Sequence, residues 1–284
     1  MKIKKVVLPV AGLGTRFLPA SKSVAKEMFP VLDKPLIDYA VNEAISAGGT
    51  DFIFIISPDK KSIIKYFEDD PNLVHQLITK GKQELVDIIK PKISGSITTI
   101  IQKKQLGLGH AISLAKPFIK DEPFQVLLPD DLIMSDNPVQ CQLANIYKKY
   151  KCGVVALQQI PKNKIHKYGV VSGIKNNDEI KIDGFVEKPQ QEDAPSDLAI
   201  VGRYILTPEI FDELDKNIIS NNGEIQITDA MDEILKTQNF YGLKFTGERF
   251  DCGSKIGFLE AQIAFASKDK DTKEKLKSIL EKYI

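Results

Sequence analysis

Lys5-Val6-Val7-Leu8-Pro9-Val10-Ala11-Gly12-Leu13-Gly14-Thr15-Arg16 joins a short apolar run to a glycine turn. The run is rich in Val and Leu without polar alternation, the pattern of a strand buried on both faces. Glycines at a strand end let backbone approach a ligand, and the N–H groups left exposed there bind phosphate. Two common phosphate motifs fail on this stretch. A dinucleotide fingerprint needs Gly where Phe17 stands, and a P-loop needs a Gly-Lys-Ser/Thr ending that is missing. Taken alone, the turn is equally well read as a tight connection between elements. Arg16, Lys22 and Lys26 then place cations close behind it, among Pro19 and Pro30, which resist regular structure. A polyphosphate explains that combination better than a solvated loop does. Lys2, Lys4 and Lys5 precede the apolar run as in a secretory signal, but Pro9, Gly12 and Gly14 interrupt what should be a continuous apolar helix.

Outward from this strand, apolar runs alternate with helical patterns. Leu36, Ile37, Ala40, Val41, Ala44 and Ile45 recur at helical spacing after Pro35, and Gly48-Gly49 ends the helix. Phe52 to Ile56 reads as a second buried strand. Leu73, Val74, Leu77, Ile78, Leu85 and Ile89 predict a helical insertion with Gly81 as its weak point. Ile97 to Ile101 and Gln125 to Leu128 read as strands separated by a short helix around His110 to Ala115. Such alternation implies parallel strands with helices on both faces. Tyr168 to Val171, Ile180 to Val186 and Ile200 to Leu206 are strand-like without long helices between them, which predicts antiparallel additions. Helices close the chain, the last spanning Lys273 to Lys282. The fold class is therefore α/β, a mixed, mostly parallel central sheet flanked by helices, with a C-terminal helical tail from about residue 254. Residues 1–284 are expected to form a single domain.

The chain has 284 residues, 43% hydrophobic and 27% charged, ample for a packed core. Lys+Arg 39 against Asp+Glu 38 gives a net charge of +1, which leaves no basic excess for general nucleic-acid binding. No apolar run approaches the roughly 18 residues that span a bilayer. Cys141, Cys152 and Cys252 form no metal-ligand spacing, and an odd count suits a reducing cytoplasm.

The glycine stretch continues through Phe17-Leu18-Pro19-Ala20-Ser21-Lys22, Lys26-Glu27-Met28 and Val31-Leu32-Asp33-Lys34-Pro35. Together these segments resemble the signature of sugar-phosphate nucleotidyltransferases, and within them the bacterial uridylyltransferases that act on glucose 1-phosphate. The resemblance runs over essentially the whole chain, through Gly107-Leu108-Gly109-His110-Ala111, Leu128-Pro129-Asp130, Tyr168-Gly169-Val170-Val171, Val186-Glu187-Lys188-Pro189, Ile200 to Tyr204, Glu224 to Ala230 and Asp251-Cys252-Gly253. One position departs from the pattern: Ala25 stands where the family usually carries Pro.

The resemblance implies a Rossmann-like nucleotidyltransferase fold and the reaction of UTP with α-D-glucose 1-phosphate to give UDP-glucose and pyrophosphate. It implies that Ala11, Gly12, Leu13, Gly14, Gln102 and Gly107 bind the nucleotide, with Arg16 and Lys26 at the reacting phosphates. Gly169, Glu187 and Lys188 would take the sugar phosphate, and Asp130 and Asp251 would hold Mg²⁺, which favours a few carboxylates plus phosphate oxygens. Either aspartate alone could serve as a cap or turn residue. Arg16, Lys26, Asp130 and Lys188 are the expected catalytic residues. His110 reads as a packing or capping residue, and His75 and His166 as structural or exposed. A thymidylyl-transferring relative and a non-catalytic homologue are the alternatives. The apolar residues of the closing helices, among them Ile256, Leu259 and Ile263, predict a homo-oligomer, dimer or tetramer.

Overall fold

The computed structural model describes residues 2–216, 218–220 and 223–283; Met1 and Ile284, the ends of the expected domain, lie outside it. In chain order, strand β1 (Lys5–Pro9) leads through a short hairpin, β2 (Pro30–Val31) and β3 (Lys34–Pro35), to helix α1 (Leu36–Ser46). Strand β4 (Asp51–Ile56), helices α2 (Lys61–Lys65) and α3 (Pro71–Thr79), and strand β5 (Ile97–Ile101) follow. Helices α4 (Leu108–Ser113) and α5 (Lys116–Ile119) precede strands β6 (Phe124–Leu127) and β7 (Asp131–Met134). Then come α6 (Val139–Tyr150), β8 (Gly153–Gln159), β9 (Gly169–Asn176), β10 (Glu179–Glu187) and β11 (Leu198–Leu206). The chain closes with α7 (Ile210–Leu214), α8 (Ile227–Ile234), β12 (Phe240–Lys244), β13 (Glu248–Asp251), α9 (Lys255–Lys268) and α10 (Lys273–Tyr283).

Nine strands form one sheet in the order β5-β4-β1-β6-β11-β8-β12-β10-β9. The half built first, β5-β4-β1-β6, is parallel throughout. Antiparallel pairing enters at β11, which joins β6 to β8, and continues from β12 through β10 to β9. Val6 and Leu8 face a core shared with Ile37, Ala40, Val41 and Ala44 of α1, while Val7 faces a second core with Ala111 and Ile112 of α4. Successive strand residues point to opposite faces, so an unbroken apolar run is what a strand covered on both sides requires.

Two expectations change. The insertion is helical only to Thr79: the chain turns at Gly81 (φ +68°), and Gln83–Leu85 make a single 3-10 turn, so Leu85 and Ile89 do not extend the helix. Between β7 and β8 lies α6, which the sequence reading passed over because Gln140, Gln142, Lys148 and Lys149 dilute its pattern. Its Val139, Leu143, Ile146 and Tyr147 nevertheless recur on one face and pack on Val154 and Ile205.

A two-stranded ladder outside the main sheet places the site. β13 pairs antiparallel with β7, setting Asp251 opposite Asp131. The Cys252 N–H donates to the Asp130 carbonyl at 2.8 Å. Residues some 120 positions apart are thereby fixed side by side at the carboxyl end of β6, where open α/β sheets place ligands.

Candidate active site

The loop leaving β1 borders a cavity of about 400 Å³ lined by Ala11, Gly12, Leu13, Gly14, Gln102 and Gly107. Gly14 turns at φ +66°, and Gly107 at φ +98°, where a Cβ would meet Ile225 O at 2.9 Å. Neither position suits an L side chain. Gln102 is buried, with its Nε2 2.8 Å from Nδ1 of His110 and 3.5 Å from the Gly107 carbonyl. Since that carbonyl only accepts, the amide nitrogen belongs at this end, and Nδ1 of His110 accepts from it. Burial pushes the His110 imidazole below its ordinary value, which favours the neutral ring this bond needs. His110 thus does more than pack: it orients Gln102.

Through Gly107, Leu108 and Glu224 this cavity adjoins a larger one of about 720 Å³. Its walls carry Arg16, Asp130, Gly169, Glu187, Lys188 and Asp251. Glu187 ends β10, where its Oε2 accepts from the Thr228 hydroxyl at 2.7 Å and its Oε1 meets Nζ of Lys188 at 3.0 Å. Lys188 lies in the left-handed region (φ +47°), held by its N–H on the Tyr168 carbonyl at 3.0 Å. Such backbone strain in a non-glycine residue gathers at functional sites.

Asp130 sits on a turn that is clamped from behind. Arg203, only 1% exposed, donates to the Leu128 carbonyl at 2.9 Å and the Asp131 carbonyl at 2.7 Å, and pairs with Glu43 of α1. Asp131 also borders the larger cavity, but both its carboxylate oxygens are engaged, accepting from the Gly202 N–H at 2.7 Å and Nε of Arg249 at 2.6 Å. Asp130 alone remains for the site, and Lys26 reaches it, Nζ to Oδ2 at 2.6 Å. Burial disfavours the Asp130 carboxylate, but the Lys26 ammonium, aided by a backbone N–H and Arg249, holds the carboxyl below its usual value. Lys26 lines neither cavity and meets the site through Asp130. Ala25 keeps φ −54° and ψ 133°, the geometry a proline would impose, so the departure from Pro leaves the course of the loop intact.

A Cβ built on Gly253 would lie 3.0 Å from Asp251 Oδ1, 3.3 Å from Asp130 Oδ2 and 3.4 Å from Arg16 Nη1. Two carboxylate oxygens and a guanidinium therefore surround a space that only a glycine leaves open. Among the described residues no group of three His, Cys, Asp or Glu could hold a metal. A cation here would have two protein carboxylates and would complete its shell with other oxygens, a donor set that fits Mg²⁺ bound together with phosphates.

The sequence reading missed several wall residues. Glu224, Gln226 and Thr228 line the larger cavity, as do Tyr204, Arg249 and the exposed His166. The first three fall in the Glu224 to Ala230 segment, and a role for them could have been drawn from it. Arg249 had no signal beyond lying two residues before Asp251.

This geometry sets two adjoining cavities at the carboxyl end of a mixed α/β sheet, with a strand-end carboxylate pair in the wall of the larger. The nucleotidyl transferase family model matches residues 4–268, and the chain belongs to that family. It is 44% identical over 281 residues to the UTP–glucose-1-phosphate uridylyltransferase of Staphylococcus epidermidis, covering 98% of both chains. Among solved structures it resembles a UDP-glucose pyrophosphorylase complexed with UDP-glucose (TM-score 0.84, 41% identity, 94% of this chain and 100% of that one). It also resembles a UTP-bound UGPase from Acinetobacter baumannii (TM-score 0.90, 35% identity, 99% of this chain and 100% of that one).

Proposed function

We propose that the chain catalyses UTP + α-D-glucose 1-phosphate → UDP-glucose + pyrophosphate. One observation carries the reading: a glycine-loop cavity with an oriented amide adjoins a cavity whose walls carry Arg16, Asp130, Glu187, Lys188 and Asp251 together. The named relatives are uridylyltransferases, and neither the thymidylyl nor the non-catalytic alternative is favoured.

In this assignment Ala11 to Gly14 and Arg16 hold the UTP phosphates, while Gln102 and Gly107 meet the uracil. Lys188 holds the phosphate of the sugar and Glu187 accepts from glucose hydroxyls, with Gly169 leaving room beside it. A phosphate oxygen of glucose 1-phosphate attacks the α-phosphorus of UTP. The new P–O bond forms as the bond to the β-phosphate oxygen breaks, and pyrophosphate leaves with that electron pair. The nucleophile is already an anion at neutral pH, so no general base is required, in keeping with a site that uses His110 only for orientation. Catalysis comes from holding two anions in line and neutralising the charge that builds between them. Asp130 and Asp251 are the residues that would hold Mg²⁺, which supplies further neutralisation of the phosphates. Arg16, Lys26 and Lys188 provide the protein's own positive charge.

The direct test is pyrophosphate release across pairs of nucleoside triphosphates and sugar phosphates. Turnover with UTP and glucose 1-phosphate above all other pairs is expected; a preference for dTTP overturns the assignment.

The reading extends to assembly and compartment. Ile256, Leu259 and Ile263 of α9 remain exposed, whereas Phe258 packs on Phe17 and Phe29 and Phe265 on Tyr39. A stripe of this kind supports a symmetric homo-oligomer; light scattering that gives a monomer at micromolar concentration overturns it. The free Cys141, Cys152 and Cys252 support a reducing cytoplasm. Among the described residues no helix is long and apolar enough to cross a membrane.

A further inference from the structure

Lys60 is almost wholly enclosed, only 5% exposed. Its ammonium donates to the carbonyls of Val10 at 2.8 Å and Gly12 at 2.5 Å, and to the two oxygens of Glu27 at 3.1 and 2.8 Å. Val10 and Gly12 bracket Ala11 at the start of the glycine loop. Glu27 follows Lys26, whose ammonium reaches Asp130. A single buried side chain, just ahead of α2, therefore ties the glycine loop to the turn that carries Lys26.

The direction of these bonds matters more than their number. In a trans peptide the C=O and the following N–H point in opposite directions. Drawing the Val10 and Gly12 carbonyls inward onto Lys60 turns the N–H groups of Ala11 and Leu13 the other way. Both residues line the smaller cavity, and among the described residues neither N–H has a backbone acceptor. Stability alone is a weak reason for the arrangement, because buried ion pairs are often replaced by apolar residues at no loss. Burial also pushes the Glu27 carboxyl above its usual value against the pull of Lys60 and Lys26.

We propose that Lys60, anchored by Glu27, is a positioning residue that aims the Ala11 and Leu13 N–H groups at the nucleotide phosphates and locks the Lys26 turn to the same loop. The inference rests on the loop being the UTP site.

The test measures UTP dissociation constants by calorimetry, KM for glucose 1-phosphate, and Tm for four variants. Lys60→Met should weaken UTP binding roughly tenfold to a hundredfold, the scale of lost charge-assisted hydrogen bonds, while KM for glucose 1-phosphate moves less than threefold or so. Combining Lys60→Met with Glu27→Leu removes both charges and should recover Tm without recovering UTP affinity, since the carbonyls still lack their donor. Recovery of both overturns the inference. Asp38→Asn, at a buried carboxylate paired with the partly exposed Lys92 away from the loop, should lower Tm and leave UTP binding unchanged. If Lys60→Met fails to fold, Glu27→Gln decides: weaker UTP binding supports the proposal, and unchanged binding overturns it. Wild-type protein that does not bind UTP would instead overturn the functional reading itself.

Discussion

The ammonium of Lys26 donates to Oδ2 of Asp130 at 2.6 Å, joining the turn after the glycine loop to the carboxyl end of β6. The pair is partly buried, 19% and 30% exposed. Burial penalises the Lys26 charge, yet Asp130 and Glu27 outweigh that penalty and raise its pKa, just as Lys26 lowers that of Asp130. Both groups are therefore charged at neutral pH, when phosphates must be neutralised.

A pH prediction follows from the direction of the Asp130 shift. A carboxyl whose folded pKa is depressed contributes stability that is present above its unfolded value of 3.8 and is lost as pH falls through the lower folded value. Lys26→Met removes the largest opposing charge, so burial then raises the carboxyl. The variant should be less stable than wild type near neutral pH, with the gap closing as acid protonates the carboxyl in both, read from thermal melts followed by circular dichroism across pH. Equal melting temperatures at every pH would show that the pair contributes nothing to stability.

Lys188 differs in kind from Lys26. Its side chain is half-exposed and its visible partner is Glu187 at 3.0 Å, so it can turn toward a phosphate at small cost. Lys188→Ala should raise KM for glucose 1-phosphate roughly tenfold to a hundredfold, the value of one charge-assisted contact, with a much smaller change for UTP. Initial-rate kinetics with each substrate varied in turn reads the difference. Equal rises for both substrates would remove Lys188 from the sugar-phosphate subsite.

Gly253 offers a substitution that tests space rather than charge. The added methyl of Gly253→Ala would sit 3.0 Å from Asp251 Oδ1 and 3.3 Å from Asp130 Oδ2, so one or both carboxylates must move. Turnover should fall at least tenfold, with a stability loss of about 1–3 kcal/mol from overpacking this buried position. Full activity in Gly253→Ala would mean that the space between the carboxylates is not used.

How much of this was legible in the residues depended on whether the signal was local. The β1–glycine turn announced itself, because an apolar run ending in glycines is a local pattern. So did α1, whose apolar spacing runs unbroken to Gly48-Gly49. Helix α6 was hidden by polar residues that dilute its pattern, one of them, Gln140, on the buried face, and strands β7 and β13 by their brevity. The clamps behind the site were beyond reach for a different reason. Arg203 with Glu43, and Lys60 with Glu27, are pairs of distant charged residues that look like solvated surface until the sheet brings them together. His110 likewise read as packing because its partner Gln102 lies across a turn whose course only Gly107 reveals.

The relation of Asp130 to Asp251 is the most demanding test, because the proposed metal role needs them to act as one unit. They come from separate segments, are joined through the Cys252 N–H to Asp130 carbonyl bond, and face the same space beside Gly253. Asp→Asn keeps size and removes charge, so either single substitution should lower kcat at least a hundredfold or so while the fold remains intact. Groups that serve one ion are not independent, so the double variant should be little worse than either single one. Treatment with EDTA should abolish turnover of the wild type, and added Mg²⁺ should restore it. Metal dependence should also shift: each single variant should need higher Mg²⁺ for half-maximal rate. Were the two aspartates only turn residues, their effects would add, lie mainly in Tm, and leave that titration unmoved. Measuring kcat against Mg²⁺ concentration for wild type, both single variants and the double variant separates the two outcomes.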